Sequence, residues 1–286
     1  MSYFQATDGT ILHYRDHGDG PAIVLLASQG LSGSMWQHLM VRLADQGFRC
    51  VALDRRGHGR SDDPAKGYDF DRFADDIGEL LTELDLRDVT LVGHSVGSAE
   101  AARYLTRHGP DRVSRLMLAS TTLPFLARTA DNPDGVPLTV MESVWEEWHS
   151  DWPRWVGENT PPFIGAGLPG CAVSPEMVQL GTNDMLQTSL PALVRTSRAA
   201  VTTDFRAELR RIDIPTLLIH GDADASAPVE ITGAKAVTLI PGARLKIYQN
   251  APHGLLATHL PQVEADILEF TAAAAGAQPA AAGQPG

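Results

Sequence analysis

A serine between two glycines is the residue of this sequence whose surroundings most clearly favour chemistry. Positions 93–97 read Gly-His-Ser-Val-Gly, directly after the apolar run 89–92 and before a stretch of small residues. A predicted strand, a sharp turn and a predicted helix therefore surround Ser95, the context in which this pattern holds a nucleophile. The two glycines let the strand and helix backbones pass closely at the turn. A chance occurrence in a loop would need neither the strand nor the helix.

The serine hydroxyl is a poor nucleophile at neutral pH, so Ser95 needs a base and a group that orients the base. With this motif, the acid and then the histidine follow the serine along the chain, each on a loop after a strand. Among ten histidines, His253 is the one on the loop after the last predicted strand, whereas His259 falls in or beside the final helix. We predict that His253 is the base and that His58 and His220 are structural.

Two carboxylates compete for the role of orienting acid. The predicted strand 113–119 is followed by no carboxylate, but the loop after strand 214–220 contains both Asp222 and Asp224. Asp224 lies deeper in this loop, just before a predicted helix start at Pro228, and Asp222 could instead bond backbone amides of the loop. From the residues of this loop either aspartate could be the orienting acid, and the position in the loop favours Asp224.

An acyl-transfer reaction also needs hydrogen-bond donors for the oxyanion. One predicted donor is the backbone N–H of Val96, directly after the serine and at a helix N-terminus. The second is expected from the loop after the predicted strand 22–27, where Gln29 is the first candidate and Ser28 the next. The alternative is that residues 28–34 are only a turn into a helix.

Apolar runs alternate with amphipathic segments, which predicts an α/β fold with a mostly parallel sheet and flanking helices. The dipeptide Asp8-Gly9 predicts a hairpin, and Asp69 is predicted to cap a helix whose apolar positions share one face. The predicted strands are 3–7, 10–17, 22–27, 48–53, 89–92, 113–119, 214–220 and 243–248, and later helices are predicted near 228–237 and 261–271.

The alternation stops between 121 and 203, where prolines and four of the five tryptophans accumulate without a convincing strand. We predict that 121–203 is a helical cap inserted into a core formed by 1–120 and 204–271. The cap tryptophans are interpreted mainly as packing against the sheet domain, with an apolar substrate pocket as the alternative. The segment 272–286 contains only Ala, Gly, Gln and Pro and is predicted to be disordered.

Composition excludes several classes of function. A formal net charge of −12 argues against a nucleic-acid or anionic-membrane partner. Neither a signal peptide nor an apolar run of membrane-spanning length is visible, and Cys50 and Cys171 show no paired pattern, so we expect reduced thiols and a cytoplasmic location. No metal-ligand spacing or phosphate-binding loop is present, so we expect no metal and no cofactor. The oligomeric state is left open.

Four motifs together resemble the α/β-hydrolase family, and within it the haloperoxidase-like and arylesterase-like serine hydrolases, over about 3–270. They are Asp-Arg-Arg-Gly-His-Gly-Arg-Ser at 54–61, the serine motif at 93–97, His-Gly-Asp-Ala-Asp at 220–224 and Pro-His-Gly at 252–254. The resemblance implies an α/β-hydrolase fold with an eight-stranded type of sheet and an inserted cap. It also implies that Asp224, the second aspartate of its loop, is the acid and that 54–61 is mainly structural.

Two departures from the family pattern lie beside the predicted oxyanion site. Where most relatives carry His-Gly before the oxyanion residue, this chain reads Ala-Ser-Gln-Gly at 27–30, a variant similar to that of enol-lactone hydrolases. Where relatives often carry Met and then Gly-Gly after the nucleophile, it reads Val-Gly-Ser at 96–98. These changes leave the substrate open, together with any peroxidase or perhydrolase activity.

The sequence therefore predicts a cofactor-independent serine hydrolase that cleaves a small carboxylic ester or lactone through an acyl-enzyme. Epoxide hydrolases and haloalkane dehalogenases are disfavoured because those relatives need Asp at the position of Ser95. The alternatives on the same fold are hydrolysis of a carbon–carbon bond, perhydrolysis, cofactor-free oxygenation, or an inert ligand-binding protein.

Overall fold

A computed structural model describes residues 2–275 of the chain. Within them, eight strands form one sheet in the order β1-β2-β4-β3-β5-β6-β7-β8, in which only the β1–β2 and β2–β4 pairs are antiparallel. The α/β prediction and the mostly parallel sheet are confirmed. The strands are β1 Ser2–Gln5, β2 Ile11–His17, β3 Ala22–Leu26, β4 Arg49–Leu53, β5 Val89–His94, β6 Val113–Ala119, β7 Thr216–Gly221 and β8 Arg244–Tyr248.

The central strands β3 and β5 are buried along their whole length, as expected of parallel strands covered by helices on both faces. Successive residues of β3 point to opposite layers. Val24 and Leu26 pack in one apolar cluster, and Ile23 and Leu25 pack in the other. Strand β5 pairs in parallel with β3 and β6, so the carboxyl end of β5 lies in the middle of the sheet edge.

The helices include the one predicted to be capped by Asp69, whose side chain accepts a hydrogen bond from the Arg72 amide; that prediction is confirmed. The predicted helix 228–237 begins later, because residues from Pro228 onward first form turns. The helices are α1 Gln37–Asp45, α2 Phe70–Glu83, α3 Val96–His108, α4 Leu138–Phe163, α5 Pro175–Leu186, α6 Leu190–Thr202, α7 Arg206–Leu209, α8 Gly233–Leu239 and α9 Leu260–Ala275, with 3₁₀ turns at Gly33–Trp36 and Leu255–Ala257.

Helices α4, α5 and α6 lie between β6 and β7, inside the segment 121–203 predicted as a cap. This segment contacts loops that follow core strands. The Thr188 hydroxyl donates to the Gly30 carbonyl at 2.9 Å, and the Ser189 amide donates to the Gly57 carbonyl at 2.9 Å. The turn between α5 and α6 therefore lies against the loops at the carboxyl ends of β3 and β4, while the domain boundaries stay a prediction.

The tryptophan-rich helix α4 bends where Asp151 leaves helical geometry at φ −154° and ψ 73°. Trp145, Trp148 and Trp152 are buried in an apolar cluster that also contains Leu31 from the loop after β3. The rings of Trp148, Trp152 and Trp155 contact one another, with centroids 5.3–5.6 Å apart. These contacts fit the interpretation that the tryptophans pack the cap against the core.

The final helix α9 reaches Ala275, four residues into the segment 272–286 for which disorder is predicted. The prediction is wrong for 272–275, because alanine has the highest helix propensity and extends a helix already packed on the core. The rest of that segment, 276–286, lies outside the described residues. Across 2–275, no helix combines the length and apolar character needed to cross a membrane.

Candidate active site

Ser95 occupies a strained turn between β5 and α3. Its backbone has φ 56° and ψ −118°, a region that residues with a side chain rarely adopt. A Cβ on Gly93 would lie 2.3 Å from the Gly97 carbonyl oxygen, and a Cβ on Gly97 would lie 2.6 Å from that of Leu26. Both glycines are thus required by close backbone approach, and the second contact places the end of β3 against the start of α3.

The structure brings His253 and Asp224 to Ser95 in a chain of contacts. The His253 Nε2 lies 2.9 Å from the Ser95 Oγ, and its Nδ1 lies 2.7 Å from the Asp224 Oδ2. Because a carboxylate only accepts, Nδ1–H donates to Asp224 and leaves Nε2 free to accept the Ser95 hydroxyl proton. All three residues are buried, with 4–5% of their surface exposed.

Asp224 is held as a carboxylate by four donors. Its Oδ1 accepts the amides of Ser226 at 3.0 Å and Ala227 at 2.7 Å, while His253 and His220 approach Oδ2. Burial acts to raise the pKa of Asp224, but the neighbouring His253 and these hydrogen bonds outweigh it and hold that pKa well below its ordinary range. An ionised Asp224 can therefore stabilise a protonated His253.

Asp222 lies on the same loop as Asp224 but bonds a backbone amide instead of the histidine. Its side chain is exposed, and Oδ1 accepts the Asn250 amide at 2.6 Å. Asn250 has φ 58° and precedes the segment that carries His253. Asp222 therefore braces the two loops against each other, as an aspartate in a turn commonly does, and of the two aspartates it is Asp224 that contacts the histidine.

The amides predicted to bind an oxyanion lie on two different elements. Val96 is the first residue of α3, where backbone N–H groups have no intrahelical partner. The Ser28 amide donates to the Met35 Sδ at 3.3 Å, so it is already used. The Gln29 amide has no partner among the described residues. Of the two loop candidates, Gln29 is therefore the one with a donor available.

Two residues beside His253 were missed as parts of the site by sequence reasoning. The His94 Nε2 lies 2.8 Å from the His253 carbonyl oxygen, to which it donates, and burial lowers the pKa of His94 to about 3, so its ring is neutral. The Phe163 ring lies 5.1 Å from the His253 ring, and the Phe163 carbonyl accepts the Gly254 amide at 2.7 Å. His94 could have been found from its place in the serine motif, but Phe163, at the end of α4, carried no signal.

An apolar cavity of about 80 Å³ adjoins this group. Its walls come from residues 31–38 after β3, from 163–164 and 177–184 of the cap segment, and from 254–260 after His253. Phe163 borders the cavity and also contacts the His253 ring. The cavity therefore shares one wall with the predicted base, and none of the cap tryptophans lines it.

A family model described as the alpha/beta hydrolase fold matches residues 21–166. The chain belongs to the α/β-hydrolase family. It is 38% identical to a non-heme chloroperoxidase (CPO-A1) of Kitasatospora aureofaciens over 92% of this chain and 96% of that protein. It is 33% identical to a bifunctional esterase/perhydrolase (DCH) of Acinetobacter calcoaceticus over 94% of this chain and 99% of that protein.

Among solved structures, this α/β-hydrolase is similar to a bromoperoxidase from Bacillus anthracis. The TM-score is 0.90 at 33% identity, covering 95% of this chain and 100% of that chain. The predicted resemblance to haloperoxidase-like and esterase members is thus confirmed, and so is the α/β-hydrolase fold. In residues 2–275, no three His, Cys, Asp or Glu side chains group as metal ligands would.

Proposed function

We propose that this α/β-hydrolase is a cofactor-independent serine hydrolase that cleaves a small carboxylic ester or lactone through an acyl-enzyme. The observation that carries the proposal is the continuous contact from Asp224 through His253 to Ser95. Each group has the chemistry its place requires: a hydroxyl, a base with a free nitrogen, and an ionised carboxylate.

In the proposed reaction, His253 takes the hydroxyl proton as Ser95 Oγ attacks the substrate carbonyl. The amides of Val96 and Gln29 bind the resulting oxyanion, and Asp224 stabilises the protonated imidazole. His253 then donates the proton to the leaving alkoxide, and the acyl group stays on Ser95. His253 then takes a proton from water as the water oxygen attacks the acyl-enzyme, and it returns that proton to Ser95 Oγ as the bond to the acyl group breaks and the acid leaves.

Perhydrolysis is the second candidate, since a relative that matches almost the whole chain is named as a bifunctional esterase/perhydrolase. In that reaction hydrogen peroxide replaces water in the attack on the acyl-enzyme and releases a peracid. The acyl-enzyme is common to both reactions, so they differ only in the second nucleophile.

The substrate is proposed to be a small molecule with an apolar portion that enters the cavity beside Phe163. A cavity of about 80 Å³ exceeds several-fold the ~15 Å³ that one water-sized group needs, so it has room for a short acyl or alkyl chain. Nucleic acid is not a proposed partner, because the chain has a net charge of −12. The cytoplasm remains the predicted location.

Labelling with a fluorophosphonate, combined with a panel of esters, lactones, diketones and peroxide, tests the proposal. We expect covalent modification of Ser95, loss of labelling in Ser95→Ala, and hydrolysis of esters or lactones that the same substitution lowers by at least about 10³-fold. A natively folded protein that fails to label at Ser95 would contradict the serine mechanism and favour an inert ligand-binding protein. Turnover of diketones alone, or uptake of oxygen alone, would instead contradict the ester assignment.

A further inference from the structure

A buried ion pair joins the segment after β4 to the helix that starts at the nucleophile. The Arg55 Nε donates to the Glu100 Oε1, and each side chain is only 4–5% exposed. Glu100 lies on α3, four residues after Val96 and one helical turn from it. The pair therefore anchors the first turns of α3, and the N-terminal amide of α3, that of Val96, is one of the proposed oxyanion donors.

The remaining nitrogens of Arg55 bond the loop after β3, which carries the other proposed donor, the Gln29 amide. One terminal nitrogen donates to the Ala27 carbonyl oxygen at 2.7 Å, and the other donates to the Ser28 carbonyl oxygen at 3.2 Å. Gln29 follows directly. All three guanidinium nitrogens are thus used, one toward α3 and two toward the loop after β3.

We propose that Arg55 and Glu100 are positioning residues that set the relative placement of the Gln29 and Val96 amides around the oxyanion. This inference rests on the proposed serine mechanism. The guanidinium is a rigid planar fork, so bonds at its three nitrogens fix the groups they reach at defined mutual positions. Oxyanion donors act only within a narrow range of distance from the developing charge, so an element that fixes two of them on separate backbones controls the rate.

Stability alone is a poor reason for this pair. Burial acts to raise the pKa of Glu100 and the neighbouring Arg55 acts to lower it, so the gain from pairing is set against the cost of taking the carboxylate out of water. Apolar residues of similar volume commonly replace a buried ion pair without loss of stability. The pair is instead explained by its bonds to the Ala27 and Ser28 carbonyls, which an apolar side chain cannot make.

The neighbouring pair Arg56–Asp76 offers a matched control. It comes from the same turn and is as deeply buried, with side chains 0% and 4% exposed. Arg56 bonds Asp76 on α2 through two nitrogens at 2.7 Å, and its third nitrogen bonds Asp8 at 2.9 Å. Among the described residues, Arg56 makes no hydrogen bond to the loop 27–30.

The test compares Arg55→Met/Glu100→Leu with Arg56→Met/Asp76→Leu, each double variant replacing a buried arginine and its carboxylate by apolar residues. The control variant also removes the partners of Asp8 and Arg72, so it is the more disruptive of the two. Active sites are counted by fluorophosphonate titration, so that kcat is expressed per reactive Ser95. We expect the first variant to lose about 10- to 100-fold in kcat per site, a fraction of the loss of a whole donor. Its KM should stay within about twofold and its pH profile should be unchanged, because His253 and Asp224 are untouched. The control variant should keep kcat per site.

Hydrogen exchange of the peptide covering 27–33 supplies a readout independent of turnover. Exchange should become faster in the Arg55/Glu100 variant and not in the Arg56/Asp76 variant. Arg55→Lys keeps the positive charge but not the planar guanidinium, so we expect an intermediate loss in kcat. This variant replaces the double variant in the test if the double variant does not fold. Unchanged kcat per titrated site in both Arg55 variants would overturn the proposal. A wild-type protein that does not label at all would contradict the proposed function instead, and the exchange comparison would still decide whether the pair holds the loop.

Discussion

At the scale of single residues, Asp224 shows how a buried carboxylate is kept ionised next to a histidine. The Nε2 of His220 lies 3.1 Å from Asp224 Oδ2 and 2.8 Å from the Ala227 carbonyl oxygen, and since both are acceptors it carries the proton. His220 is thus a structural donor, in keeping with its predicted role, and it approaches Oδ2 of Asp224, the oxygen that the two amides do not bond. The carboxylate can then orient His253 without rotating away.

Exchanging the two loop aspartates separately for asparagine should distinguish orientation from bracing. Asp224→Asn is expected to lower kcat by about 10³- to 10⁴-fold, because an amide favours the wrong tautomer of His253 and cannot stabilise its charge. Asp222→Asn should leave kcat within about threefold, since the asparagine Oδ1 can still accept the Asn250 amide and only the charge on this exposed hydrogen bond, itself worth ~1 kcal/mol, is lost. Steady-state kinetics with one ester would measure both, and a larger loss at Asp222 would refute the assignment of the acid.

At the scale of elements, the loop after β3 is held from the sheet side and from the cap side at once. Asp184 on α5 accepts the Ser32 hydroxyl at 2.6 Å and the Ser32 amide at 3.1 Å, and Thr188 donates to Gly30. These contacts leave little freedom around Gln29. Helix α5 also provides part of the apolar cavity wall, so the same element borders the proposed substrate group and holds the proposed oxyanion loop.

A series of esters with lengthening acyl or alkyl chains tests whether the cavity binds substrate. We expect kcat/KM to rise about fourfold per methylene while the chain fits, which corresponds to about 0.8 kcal/mol per buried CH₂, and to fall once the cavity is full. Leu180→Trp, at the exposed rim of the cavity, should remove this rise while sparing the acetate ester.

The matched control is Leu186→Trp, on the same helix and similarly exposed at 41% against 43%, but outside the cavity wall. It should preserve the dependence on chain length. If both tryptophan variants changed the chain-length dependence of kcat/KM equally, or if the wild-type protein showed no such dependence, the apolar group would bind elsewhere.

At the scale of the whole molecule, two histidines, His58 and His94, are folded into the interior as neutral rings. Burial lowers the pKa of His58 to about 3, with the nearby Arg55 acting in the same direction, and burial likewise lowers the pKa of His94. The ordinary pKa of such a ring is about 6.5. Between these values the unfolded chain binds a proton that the native protein does not, so the native state loses stability as the pH falls below about 6.5.

We therefore expect His58→Asn to flatten the pH dependence of stability. Each such histidine contributes up to about 1.4 kcal/mol per pH unit in this window. Asp224, with its lowered pKa, adds stability that is lost only at more acidic pH. Urea unfolding at pH 7, 6 and 5 would measure the free energies, and parallel curves for the variant and the wild-type protein would contradict the assignment.

The sequence by itself determined the order of strands and helices, the turn at Ser95 and the choice of His253. These features depend on local patterns: the lengths of apolar runs, the glycines that a tight turn requires, and the position of a histidine after the last strand. For the same reason the predicted strand 113–119 coincides with β6, and the ends of the other strands lie within two residues of their predicted positions. The helix predicted at 228–237 begins five residues later, at Gly233, because turns come first.

Only the tertiary structure decided what surrounds these residues. Three sets of contacts join residues that are far apart along the chain. Arg55 contacts Ala27 and Ser28 across 28 and 27 residues, Phe163 contacts His253 across 90 residues, and Asp184 contacts Ser32 across 152 residues. No local pattern encodes such pairs, because they depend on how the cap segment and the loop after β4 pack on the sheet. The sequence thus determined which side chains could react. Packing decided which hydrogen-bond donors and which cavity walls lie beside these side chains.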